Sequence, residues 1–148
     1  MTRTMQLAGL ALALATTACG KGHERGANDA WIRLPAVAGR PAAAYFTLHG
    51  GATPATLLAV STPAAKRTEL HESMAGHAGM MRMTPLARVD VPADGTVTFA
   101  PAGRHVMLFD VSPDVKPGGS AVLTFTFADG PTLKTTARVL GPADPDPK

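Results

Sequence analysis

The sequence predicts an all-β domain, an antiparallel sandwich or barrel. Short runs alternate apolar and polar residues with a period of two, and Pro and Gly interrupt them roughly every 8–12 residues. The one alanine-rich stretch that could suggest a helix, PAVAGRPAAAYF, is bracketed by Pro35 and Pro41, which disfavour one.

The chain opens MTRTMQLAGLALALATTACGK. Arg3 gives a basic start, Met5 to Ala15 form an apolar run, and small residues lead up to Cys19. This is the build of a secretory signal peptide, too short for a spanning helix, and residues 1–18 are assigned to it. Residues 19–29 (CGKGHERGAND) are polar and glycine-bearing and are expected to form a tether, with His23 solvated. The remaining chain, about 130 residues from Cys19, suffices for one domain with its own core, placed at residues 30–140. The last eight residues, GPADPDPK (141–148), carry three prolines and are expected to be a disordered tail.

Six strands are legible between these ends. AWIRL is the first, with Trp31 expected to anchor it in the core, and AAYFTLH follows, ending at His49. TVTFA turns Val97 and Phe99 inward. RHVMLFDV comes next, then AVLTFTFA with Leu123, Phe125 and Phe127 on one face. In TLKTTARV, Leu133, Thr135, Ala137 and Val139 oppose Lys134, Thr136 and Arg138.

Cys19 is the only cysteine, so no internal disulfide can form. TTACG resembles a bacterial lipoprotein cleavage box, although Thr16 stands where leucine is usual; lipid attachment at Cys19 is expected, which places the protein outside the cytoplasm. The formal charge is only +3 and its basic residues are scattered singly, which argues against nucleic-acid binding.

The chemistry concentrates in HESMAGHAGMMRM, residues 71–83, a stretch that reads as loop-like. Met74, Met80, Met81, Met83 and Met107 fall within one 34-residue window, with His77 and His105 inside it and His71 at its edge. Methionines that merely fill a core would be spread over several strands. Thioethers and imidazoles suit Cu(I), whereas thioethers bind Zn(II), Mg(II) or Ca(II) poorly. Outside the cytoplasm a thioether also escapes disulfide formation. On a strand His105 and Met107 share a face, about 6.6 Å apart, while Val106 and Leu108 point into the core. Two further ligands must come from elsewhere, and the stretch 71–83 is stocked with them.

With these residues in place, the sequence resembles the PCu(A)C family of periplasmic copper chaperones. The family pattern is His, about ten residues, Met, twenty-one residues, then His-x-Met. Met83 and His105 enclose twenty-one residues, His105-Val106-Met107 closes the pattern, and His71 in RTELHES takes the first place. DAWIRLP, AAAYFTL, GMMRMTPL and VPADGTVTFAPAGRHVML also look like family stretches in family order, so the resemblance covers roughly Asp29 to Leu140. One departure is that eleven residues, not ten, separate His71 from Met83. Met74 or Met81 could therefore replace a ligand, or His77 add one.

The resemblance implies a cupredoxin-like, Greek-key antiparallel β-sandwich binding one Cu(I) through His71, Met83, His105 and Met107. It also implies a role in supplying the copper-A site of cytochrome c oxidase, so an apo copper-A domain is the expected partner and a monomer the expected state. Glu72, beside His71, could orient that imidazole, and Arg82 and Arg104 flank the expected site. An enzyme is not expected: there is no G-x-S-x-G elbow and no core cysteine nucleophile. A blue-copper carrier would need a cysteine ligand, and Cys19 is in the wrong place.

Overall fold

The computed structural model describes residues 23–76 and 79–147. The assigned signal peptide, Cys19 and His77 lie outside the described residues. Ten strands follow in chain order: β1 (Gly26–Arg33), β2 (Ala42–His49), β3 (Ala55–Ser61), β4 (Ala65–Ala75), β5 (Met81–Pro85), β6 (Val89–Val91), β7 (Thr96–Phe99), β8 (Arg104–Val111), β9 (Ser120–Phe127) and β10 (Thr132–Leu140). No α-helix occurs among the described residues. The molecule is the all-β sandwich that the alternation predicts.

Hydrogen-bonded neighbours run in the order β5-β4-β8-β2-β1-β10-β9-β3-β6, with β7 pairing β2. Every ladder is antiparallel except one: β1 runs parallel to β10. The sheet curls so that strands from opposite ends of this order meet, and the Thr68 hydroxyl on β4 donates to the Val60 carbonyl on β3. Phe46 on β2 stacks on Phe99 with ring centroids 4.3 Å apart and meets the edge of Phe125 on β9 at 4.8 Å. Ile32, Leu57, Leu108 and Leu123 complete a fully buried interior around them. These contacts fix β8, whose inward residues Val106 and Leu108 leave no room for its neighbours His105 and Met107 on that side.

The expected domain boundaries need correction at both ends. The tether assigned to residues 19–29 overlaps folded structure, because β1 begins at Gly26. Just before it, the Arg25 guanidinium donates to Asp129 (Nη1 to Oδ1, 2.9 Å) and lies 4.7 Å over the Phe127 ring. The tail assigned to residues 141–148 is likewise held through Asp146. Arg33 donates to the carbonyls of Gly141 and Asp144, each at 2.8 Å, and pairs with the Asp146 carboxylate. One forked cation with several acceptors in reach offsets the entropy that a proline-rich segment otherwise keeps.

Trp31 also differs from expectation. Ala30 and Ile32 take the inward positions of β1, so Trp31, although buried, lies on the outer face of the sheet and outside the central core cluster. There it packs on Tyr45 of β2, ring centroids 4.3 Å apart, with the Arg33 guanidinium 5.0 Å over it.

Candidate metal centre

On β4 and β8 the pairing is Glu69 with Met107, Leu70 with Val106 and His71 with His105. Leu70 and Val106 face the core, so Glu69, His71, His105 and Met107 share the outer face. The two imidazoles stand side by side, ring centroids 5.9 Å apart. His105 is 5 % exposed. On its far side lies the Tyr45 ring, centroid 6.4 Å away, backed by Trp31. This aromatic wall shields one flank of the imidazole from water.

Hydrogen bonding fixes which ring nitrogens are free. His105 Nδ1 lies 2.9 Å from the Gly103 carbonyl, an acceptor only, so Nδ1 carries the proton and Nε2 keeps its lone pair. His71 Nε2 lies 2.9 Å from the Glu69 carboxylate, so here Nε2 carries the proton and Nδ1 keeps the lone pair. His71 Nδ1 is buried and has no hydrogen-bond partner. Leaving a buried acceptor unpaired costs roughly 1–3 kcal/mol, a cost that a bound cation would remove. Burial also pushes the His71 pKa below its ordinary value, which favours the neutral, ligating form.

The carboxylate that orients His71 is therefore Glu69, not Glu72. Glu72 falls on the other side of β4, where it pairs with Arg104 at 3.2 Å. Glu69 escapes a reading based on adjacency because same-face neighbours on a strand are two residues apart. Tyr45 escapes too, since nothing in its local sequence marks it as the flank of a site.

The stretch 71–83 is not a loop but largely a β-hairpin. β4 pairs β5 with His71 opposite Pro85, Ser73 opposite Met83, Met74 opposite Arg82 and Ala75 opposite Met81. By this register Met81 and Met83 share the face of His71, while Met74 and Arg82 take the reverse face. The β4–β8 ladder ends at Glu72 opposite Arg104, and the Ser73 amide then donates to the Gly103 carbonyl at 3.0 Å. Beyond that point β4 and β5 continue as a two-stranded ribbon. Its tip closes through Gly76 N–H to the Met80 carbonyl; a Cβ at position 76 would lie 2.8 Å from that oxygen.

The ribbon's methionines do not pack in the core: Met74 is 52 % exposed, Met80 72 %, Met81 56 % and Met83 50 %. Met107 is half-buried. The structure thus brings His71, His105 and Met107 together on adjoining strands. Met83 comes one register step beyond His71 on the opposite side from Met107, so the two thioethers flank the imidazole pair. Among the described residues no group of three or more His, Cys, Asp or Glu is arranged to hold a metal. A metal held here would draw on sulfur, and the donor set is a soft one.

Known structures of PCuAC domains and of a copper(I)-bound relative share this β-sandwich. The copper(I) form of DR1885 from Deinococcus radiodurans is 30% identical and matches with a TM-score of 0.57, over 85% of this chain and 83% of that one. The copper-bound PCuAC domain of PmoF2 matches with a TM-score of 0.64 over 82% of this chain and 98% of that one, at 23% identity. The chain belongs to the family described as "Putative lipoprotein LpqE-like", whose model matches residues 27–139. A curated relative, "Putative lipoprotein Lxx21020" of Leifsonia xyli subsp. xyli, is 27% identical over 105 residues, a match spanning 71% of this chain and 63% of that protein.

Proposed function

We propose that the domain is an extracytoplasmic Cu(I) carrier, holding one ion as cargo through His71 Nδ1, His105 Nε2 and the thioethers of Met83 and Met107. The observation that carries this reading is the buried, unpartnered His71 Nδ1 beside a second imidazole whose Nε2 is free, with sulfur on both sides. The copper bound in two similar structures supports the same reading. The imidazoles are oriented in advance by Glu69 and Gly103, so binding costs little rearrangement there. Neutral thioethers bind less tightly than thiolates would, which favours release to an acceptor.

Delivery toward the copper-A site of cytochrome c oxidase is the destination we infer, with attachment to a membrane through lipid on Cys19. The lipoprotein names of the family and of the relative support the anchor. No step transforms a substrate, so the protein acts as a carrier and not as an enzyme. Copper buffering by an anchored protein is the second reading, because storage and delivery use the same donors.

Anaerobic Cu(I) titration against a competing chelator tests the site. The parent should bind one equivalent, and a His105→Ala/Met107→Ala double variant should not; equal binding by both defeats the assignment. Mixing the loaded protein with an apo copper-A domain then separates delivery, seen as metallation of the acceptor, from storage, seen as retention.

A further inference from the structure

The ribbon carries more sulfur than one copper site needs, and its register sorts that sulfur by face. Met81 and Met74 make a matched pair: both lie on the ribbon, at 56 % and 52 % exposure. Met81 shares the face of His71 and Met83, whereas Met74 points to the reverse face beside Arg82. Along the site face, exposure falls from Met81 at 56 % to Met83 at 50 % and then to His105 at 5 %. Met81 and Met83 are two residues apart on one strand, a spacing of about 6.7 Å. Of the two β5 thioethers on the site face, that of Met81 is the more exposed and lies one same-face step further out along the ribbon.

We propose that Met81 is a transfer ligand: it takes Cu(I) at the exposed end of the site face and passes it to Met83 and the imidazole pair, and it reverses the path on release. This inference rests on the Cu(I) reading of the site. Each step is ligand exchange. One thioether–copper bond forms as another copper–ligand bond breaks, and no electron or proton moves. A weak donor tethered beside the final ligands raises the local metal concentration without tightening the final complex. Met81 should thus govern rates and leave equilibrium affinity alone.

The test is stopped-flow uptake of Cu(I) from a chelator, with Ag(I) as a redox-silent probe, by the parent and by Met81→Leu and Met74→Leu. Leucine removes the sulfur and keeps the bulk, and both positions are exposed, so folding is spared. Met81→Leu should bind one equivalent at unchanged affinity but slow uptake and release together by about tenfold, while Met74→Leu matches the parent. In parallel, the 13C-methyl signal of Met81 should broaden at substoichiometric Ag(I), and that of Met74 should stay sharp. Unchanged rates in Met81→Leu, or equal slowing in both variants, overturn the transfer role while leaving the site intact. A parent that binds no Cu(I) overturns the site itself, and the transfer role with it.

Discussion

The ribbon that projects from the sandwich continues strands β4 and β5 of the body, yet the two regions obey different rules. Within the body, β4 is laddered to β8 from Ala65 to Glu72, and Leu70 and Val106 close against a phenylalanine-centred core. Past Glu72 the third strand is gone, and β4 and β5 hold only each other, with four methionines exposed. A two-stranded hairpin is marginally stable by itself, so the ribbon depends on the body for its position while adding little to the body's stability. The difference teaches that stability and soft-donor chemistry are separated along one strand. His71 and His105 stand at the boundary.

Substitutions can break or sharpen that division. The largest effect on folding belongs to the body: Phe125→Ala, at a fully buried ring touching Phe46, should cost about 3–5 kcal/mol in denaturant unfolding. A loss under 1 kcal/mol would mean the core is not where the packing places it. At the boundary the two properties should diverge. His71→Leu removes a buried unpaired nitrogen but also the bond from Nε2 to Glu69, so the apo protein should stay within about 1 kcal/mol of the parent, while Cu(I) affinity collapses. Apo destabilisation well beyond the loss of that one hydrogen bond would show that Nδ1 has a partner after all.

Glu69→Gln keeps the shape but weakens the bond that orients His71, and should lower Cu(I) affinity by about 10–100-fold in chelator competition. Glu72→Gln, on the other side of β4, should leave affinity unchanged, and a reversal of the two results would exchange their roles. The smallest effect lies far from the site. The Arg25 hydrogen bond holds the Asp129 carboxyl below its ordinary value of 3.8. A depressed carboxyl contributes stability above that value, and the contribution is lost as pH falls through the folded pKa. Asp129→Asn should therefore flatten the acid limb of the stability profile slightly, an effect weakened by salt because the group is exposed.

How much of this was readable beforehand followed the burial pattern. β9 and β10 bury alternate residues, and period-two reading finds them along with β1, β2, β7 and β8. β4 hides only Leu70 among its eleven residues, β5 hides none, and β6 has only three residues, so alternation had nothing to register. In β3 the pairing slips between Leu57 and Ala59, which breaks the period. The donor types of the candidate site were legible because methionine and histidine cluster visibly in the chain. Which donors share a face was not. That depends on the register of β4 against β5 and β8, which set Met81 and Met83 on one side and Met74 on the other, and made Glu69 the partner of His71. Trp31 is buried, as its size argues, but on the outer face of the sheet, because Ala30 and Ile32 hold the inward positions of β1.

That outward tryptophan has a practical consequence. It is the only indole in the chain, and it touches Tyr45, which in turn flanks His105. Its fluorescence is thus an intrinsic optical gauge positioned two rings from the imidazole pair. Loading and unloading can be followed by emission intensity in the unlabelled protein, with Tyr45→Leu as the substitution that should mute the signal.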